Sequence, residues 1–344
     1  MGATGIYAAE ANTRELETDI VSRSSKAARF WTTGLGASAA WLTAAGITVG
    51  WRDATPWERT PLMAAIQGSV AILLAAVVLA TAFAPRLRLV PERLRQLGPW
   101  LIAFPLLVTL WEVITAKLAL LPLPFFAPPQ SVLEVFTDDW RRLGESMLGS
   151  LGLLIPGYFI GAAVGFVVGV ALGWSRAFAY WVHPVLRFVG PLPAVAWLPL
   201  AFYFFHSTWS ASTFLVGLAT GFPVAVLTAS GIASVNSEYY YIARTLGATE
   251  RFLVVNVAIP AAMPHVFVGL FMGLGTSFAV LVVAEMLGVK AGFGYYLQWA
   301  QGWAAYANMY AALIIMALLF SGLISLLFGV RNRLLAWQKG LVRW

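Results

Sequence analysis

Two carboxylates, Glu112 and Glu285, stand inside long apolar stretches of the sequence. An ionised side chain in such a setting costs about 2.5–3.5 kcal/mol or more unless it is paired or hydrated, so each is a candidate for gating, lining a path or anchoring a helix. Glu285 lies in Ala284-Glu-Met-Leu-Gly288, next to a stretch rich in glycine and aromatics, Gly292-Phe-Gly-Tyr-Tyr followed by Trp299 and Trp303. A bare carboxylate is a poor ligand for an anion, so Glu285 reads as a structural hydrogen-bond acceptor. Glu112, directly after Trp111, reads as reaching the membrane interface or capping a neighbouring helix. Other reactive groups are sparse. There is no cysteine, and the three histidines (His183, His206, His265) are too scattered for a metal motif. The apolar segments contain no aspartate, so the constellations of an intramembrane hydrolase are missing. None of the four lysines (Lys26, Lys117, Lys290, Lys339) sits in a phosphate-binding Gly-x-x-x-x-Gly-Lys-[Ser/Thr] loop.

Two spacings carry more information than any single reactive group. Gly157, Gly161, Gly165, Gly169 and Gly173 recur every fourth residue, which places them close to one face of a helix. Small residues in that pattern let a second backbone approach closely, either as a moving seam or as static packing within one subunit. The second pattern is the polar stretch 236–260. Asn236 or Ser237 can cap a helix that Glu238 complements, Gly247 can end it in a turn, and Thr249 can cap the next. The result is a helix–turn–helix bearing Arg244, Glu250 and Arg251, longer than a simple connection requires and apolar enough to seat a protein partner.

The elements that hold these groups are membrane spans. Of 344 residues 60% are hydrophobic and only 11% charged, with a mean hydropathy of +0.78, far from the ~25% charge of a soluble domain. Eight segments approach the ~20 apolar residues that a crossing needs: 30–50, 62–84, 98–121, 149–173, 186–206, 211–233, 264–288 and 308–330. Pro191, Pro193 and Pro199 should kink or break the fifth. Placing both termini in the cytoplasm puts 16 of the 22 Lys and Arg residues on that side, as the positive-inside rule expects. The net charge of +7 then reflects loop bias and does not suggest nucleic-acid binding. The first 28 residues are polar, with Glu10, Glu15, Glu17 and Asp19, and read as an uncleaved cytoplasmic tail. The stretch after Leu121 is Pro-rich and continues from Ser131 to Arg142 as an amphipathic segment at the outer interface. The aromatic stretch between Glu285 and Tyr310 reads as an outer loop forming an interfacial belt. Composition shifts near residue 97. Residues 1–29 are the tail, 30–96 an accessory two-helix hairpin with a basic linker, and 97–344 a six-span core.

The stretch 236–260 resembles the signature of binding-protein-dependent ABC importer permeases: Glu-Ala-Ala, three residues, Gly, nine residues, Ile-x-Leu-Pro. Its positions fall on Tyr241, Ile242, Ala243, Gly247, Val257, Ile259 and Pro260. The run from Ala243 to Thr249, the segment Pro191-Leu-Pro-Ala-Val-Ala-Trp-Leu-Pro-Leu200, and Ala284–Gly288 with Gly292–Gly294 are similar to the nitrate/sulfonate/taurine branch. The resemblance covers about residues 97–340. It implies an all-α, type I importer-like transmembrane domain of six helices, here with two further N-terminal spans. It also implies a coupling helix built from Glu238, Tyr241, Ala243, Arg244, Thr245, Leu246, Gly247, Ala248, Thr249, Arg251 and Pro260. Tyr241 replaces the family's leading Glu, so docking by aromatic packing takes the place of a salt bridge there. Pro193, Trp197, Tyr203 and Glu285 become candidates for the translocation path or its gate. The implied assembly is two permease copies in a bacterial inner membrane, two cytoplasmic ATPase subunits that bind ATP and Mg, and an external solute-binding protein. The implied cargo is a small anion such as nitrate, a sulfonate, taurine or bicarbonate. An ion- or proton-coupled secondary transporter is the competing reading, and it would call for buried charge relays and inverted repeats.

Overall fold

The computed structural model describes residues 31–83, 92–190 and 192–337. The polar tail 1–29, residues 84–91 of the basic linker, Pro191 and residues 338–344 lie outside them. The described residues form helices and no strand: α1 (Thr32–Gly50), α2 (Thr60–Phe83), α3 (Glu92–Gln96), α4 (Gly98–Glu112), α5 (Pro129–Asp138), α6 (Trp140–Trp174), α7 (Arg176–Val189), α8 (Leu198–Phe204), α9 (Thr208–Ala233), α10 (Ser237–Thr245), α11 (Glu250–Phe252), α12 (Ile259–Leu287), α13 (Gly292–Gly302) and α14 (Tyr306–Leu334). Helices are what a bilayer permits, since each satisfies its own backbone polar groups internally.

Among the described residues six stretches are long and apolar enough to cross a membrane: Thr60–Thr81, Gly98–Lys117, Trp140–Trp174, Thr208–Ala233, Glu250–Leu287 and Tyr306–Leu334. A seventh arises if α7 and the segment Ala194–Phe204, bent by 89°, count as one. Eight crossings were expected. The bend falls where the sequence concentrates its prolines, which lack the amide that a continuous helix needs. Helix α1 forms over 19 residues, but its Gly, Ala and Thr content keeps it outside the six. The stretch expected as an aromatic outer loop instead contains α13, an 11-residue helix.

Contacts divide the described chain into two compact units, residues 1–137 and 138–344. Composition shifts at residue 97, but α4 belongs by contact with the hairpin. In the first unit Trp31 and Val78 are buried with Leu74, Val77, Leu94 and Leu101 around them. The Trp41 indole donates to the Leu101 carbonyl at 3.1 Å, and Ser38 donates to that of Ala71 at 2.9 Å. A polar cluster closes one end of this unit. Lys117, at the end of the π-turn that continues α4, donates to the carbonyls of Trp51 (2.6 Å) and Thr48 (2.9 Å) and reaches Asp53 at 2.8 Å. The ammonium thus donates to two carbonyls, with Asp53 beside it as an ion-pair partner and Glu112 3.3 Å away as a further counter-charge. Glu112 accepts from Thr48 (2.7 Å) and from the Gln130 amide (2.8 Å) and is fully buried. It neither reaches the interface nor caps a helix, because its partners come from α1 and α5, distant in sequence.

In the second unit α9 is the axis. Over half (56%) of its apolar window is buried, against 6% for α14. All five periodic glycines of α6 face it. A Cβ at Gly157 would lie 2.6 Å from Val216, at Gly169 2.6 Å from the Ala225 carbonyl, and at Gly173 2.7 Å from Ile232. At Gly161 and Gly165 it would run into the carbonyls of Gly217 and Gly221. On the other side of α9, Gly269 and Gly273 of α12 approach Val224 and Thr220. Tyr158 donates to the Leu270 carbonyl (2.9 Å) and Thr276 to that of Ala219 (2.9 Å), so α6, α9 and α12 form one close-packed layer.

Candidate functional site

The loop after α9 starts with a capped turn. Asn236 leaves α9 in an extended conformation, and its side-chain oxygen accepts the Glu238 amide at 3.0 Å, which starts α10. Two residues past the helix, Gly247 adopts φ +82°, the left-handed geometry that glycine tolerates best, and the Ala248 amide closes the turn on the Ala243 carbonyl at 3.0 Å. Thr249 then caps the next helix, accepting from Phe252 at 3.4 Å. From Glu250 the chain runs through a π-helical turn, Leu253–Ala258, into α12, and Pro260, which has no amide to donate, follows that turn.

This motif has two faces. Tyr240 lies edge-on to Trp174 with centroids 5.6 Å apart, beside buried Ile232, Ala258 and Ala262, which ties α10 to the ends of α6, α9 and α12. Burial raises the Tyr240 phenol above its ordinary pKa. The opposite face is exposed and largely apolar, with Tyr241 65%, Ile242 60% and Leu246 83% accessible. Its charges are partly settled internally, since Arg244 bonds Glu250 at 2.8 Å across the turn. Thr245 turns its hydroxyl onto the Ile242 carbonyl, and Arg251 is exposed. The residues that the sequence picked out from Glu238 to Arg251 therefore fall in one compact turn, and Pro260 lies further on, in α12.

The path candidates are not brought together in the same way. Pro193 and Trp197 line a cavity of about 310 Å³ with Ala219, Pro223, Thr276 and Val280. Tyr203 is 83% exposed on α8. Glu285 is buried at the other end of α12, where its carboxylate accepts the Gly294 amide at 2.8 Å and faces the Ser150 hydroxyl, which in turn accepts the Phe293 amide at 2.9 Å. It thereby holds the first turn of α13 against α6 and α12. Gly292, at φ +93°, lies against this carboxylate, where a Cβ could not fit. Glu285→Ala is expected to destabilise the protein by about 1–3 kcal/mol, because the Gly294 amide loses its acceptor. Glu285→Gln, which keeps an oxygen there, should lose less. Thermal unfolding of the two variants side by side checks the order, and equal losses would remove the anchoring role.

Sequence reasoning missed a second polar group near α13. Asp139 accepts from the Tyr296 hydroxyl (2.7 Å) and the Asn308 amide (3.3 Å), while Arg142 stacks over Trp299 at 5.1 Å. Burial, and then Asp139, raise the Tyr296 phenol well above its usual pKa. These residues lie on three helices far apart in the chain, and no local spacing links them.

A family model described as "Binding-protein-dependent transport system inner membrane component" matches residues 157–337, which include the five periodic glycines of α6 and the whole capped turn. Among curated proteins, the chain is 29% identical over 262 residues to a nitrate import permease protein of Synechococcus elongatus, covering 73% of this chain and 91% of that one. It is 29% identical over 248 residues to a probable ABC transporter permease protein of Brucella abortus (72% and 98% covered). It is also 30% identical over 199 residues to a bicarbonate transport system permease protein of Synechococcus elongatus (57% and 67% covered).

Proposed function

The chain belongs to the family of binding-protein-dependent transport system inner membrane components, and from that premise we propose that it carries a small anion across a bacterial inner membrane. It is the membrane permease subunit of an ATP-binding-cassette importer, and ATP hydrolysis resides in separate subunits. The relatives named for nitrate import and bicarbonate transport support an oxyanion of that size as cargo. The placement of Glu285 is consistent with this: tied to the Gly294 amide, it is absent from the lining of the Pro193–Trp197 cavity.

The observation that carries the reading is the exposed turn 236–260, which continues through a π-helical turn into α12. A helix anchored on one face by Tyr240 and offering Tyr241, Ile242 and Leu246 on the other suits a groove on an ATPase subunit. Closing of two ATPases on ATP would displace this turn, and α12 would pass the displacement into the membrane. The cargo would come from a solute-binding protein outside and cross between two copies of the permease. We count eight crossings, adding α1 and the bent pair to the six long apolar helices, with both termini in the cytoplasm. The hairpin 30–96 is accessory to a six-span core from 97 onward. Pro193 and Trp197 are the path residues best placed by this reading.

Cysteine at Leu246 or Thr249, with a bifunctional thiol reagent, is expected to trap a nucleotide-binding subunit in membranes from cells that express the whole system. Absence of any such product would remove the coupling role. Uptake by reconstituted complex should require ATP and the solute-binding protein; purified permease that transports alone down an ion gradient would overturn the importer reading.

A further inference from the structure

Helix α7 has no buried residue. One edge bears His183 and Arg187, a single turn apart. These two side chains and Ser230 supply the polar lining of a cavity of about 410 Å³ between α7 and the last turns of α6 and α9. Leu186 and Phe222 line this cavity and also a second one of about 620 Å³, which follows α9 toward its N-terminus. Apart from Ser210 and Thr213 at its far end, the second cavity is walled by aliphatic, aromatic and glycine residues. The two together make a groove that is cationic at one end and apolar along the rest.

We propose that this groove holds an anionic phospholipid of the cytoplasmic leaflet, its headgroup at His183 and Arg187 and an acyl chain along the apolar part. In the orientation proposed above, the cationic end is the cytoplasmic end, shared with the turn 236–260. Basic pockets between spanning helices on that side are where phosphate headgroups are received. The guanidinium of Arg187 can reach the headgroup layer while its stem covers apolar surface. No carboxylate lines either cavity among the described residues. The alternatives fit the charge and the lining less well. A small hydrated anion would be desolvated along the apolar length with nothing to bond it. From the turn 236–260, a second permease copy could bring to this end only Glu238 and the already bonded Glu250. A phospholipid supplies the negative charge and the apolar chain in one molecule.

The test is native mass spectrometry of the assembled transporter, released from nanodiscs containing phosphatidylglycerol or phosphatidylcholine alone. Phosphatidylglycerol should stay bound to the permease and phosphatidylcholine should not. Arg187→Gln combined with His183→Gln should lower retained phosphatidylglycerol at least tenfold with an unchanged size-exclusion profile. Val185→Trp, on an exposed residue of the apolar part, should displace the chain while leaving the cationic end intact, and it serves if the first variant does not assemble. Equal retention of both lipids would overturn the proposal. So would nitrate alone protecting a Val185→Cys thiol from maleimide, which would mark a small-anion site. A disulfide joining two Val185→Cys permease copies would do the same, because the second copy would then occupy the groove.

Discussion

Gly165→Leu is expected to abolish recovery of folded permease. In the native structure the Gly165 position faces the Gly221 carbonyl of α9, too close for even a Cβ. Overpacking of a core normally costs about 1–3 kcal/mol through shifts of flexible side chains. Here the obstacle is backbone, so α6 and α9 must separate, and the cost should exceed about 3 kcal/mol. Separation would also pull apart the neighbouring approaches at Gly161 and Gly169. A control lies on the same helix: Gly152 has nothing within 4 Å of an added Cβ. Gly152→Leu should therefore be tolerated and even gain the ~0.5–1 kcal/mol that glycine forfeits in a helix. Fluorescence-detected size exclusion of tagged variants reads the contrast directly. Equal yields for the two variants would show that the seam is looser than described.

Lys117→Met is the second large effect. The ammonium is fully buried and bonded to two carbonyls, with Asp53 at 2.8 Å and Glu112 at 3.3 Å as its counter-charges. Its removal leaves two carboxylates facing each other out of water. Stranding the partner of a buried ion pair costs about 3–5 kcal/mol, which corresponds to a fall in unfolding midpoint on the order of 10 °C. Glu112→Gln together with Lys117→Met removes the facing charge as well and should recover part of the loss. A double variant no better than the single one would mean that the carboxylate is not what Lys117 neutralises. The comparison also bears on the hairpin, since the cluster joins α1, the α1–α2 connection, α4 and α5 in one network.

How much of this could be read from the sequence depends on the range of the interaction. The capped turn 236–260 was legible because each of its parts is local: Asn236 to Glu238, Gly247 at the turn, Thr249 to Phe252. The periodicity of the glycines was legible for the same reason, but their partner was not, since Gly217 and Gly221 lie about fifty residues downstream. Glu285 was expected to make a structural hydrogen bond, but its donor, the Gly294 amide, was not visible in the sequence. Glu112 was misread because Thr48 and Gln130 are distant in the chain, and a carboxylate with unseen partners looks like one that must reach water. The helix 292–302 was hidden by its composition: Gly292 and Gly294 resemble loop residues, and the positive φ at Gly292 with the close approach of Glu285 and the Val282 carbonyl explains why glycine stands there. The count of crossings stayed open where proline and small residues lower the apolar signal.

The seam between α6 and α9 has a mechanical consequence. Side chains between two helices act as a compliant layer, because rotamers can change before the helices themselves move. Where carbonyl meets glycine Cα there is no such layer, and a displacement at one end of α9 must reappear in α6 with little lost motion. Since α9 leads straight into the exposed turn, the contact resembles a stiff coupling in a drive shaft, without backlash. Inserting a methyl group there would damage the fit, and in the importer proposed above a looser seam would also blunt the passage of any displacement from the exposed turn into the membrane.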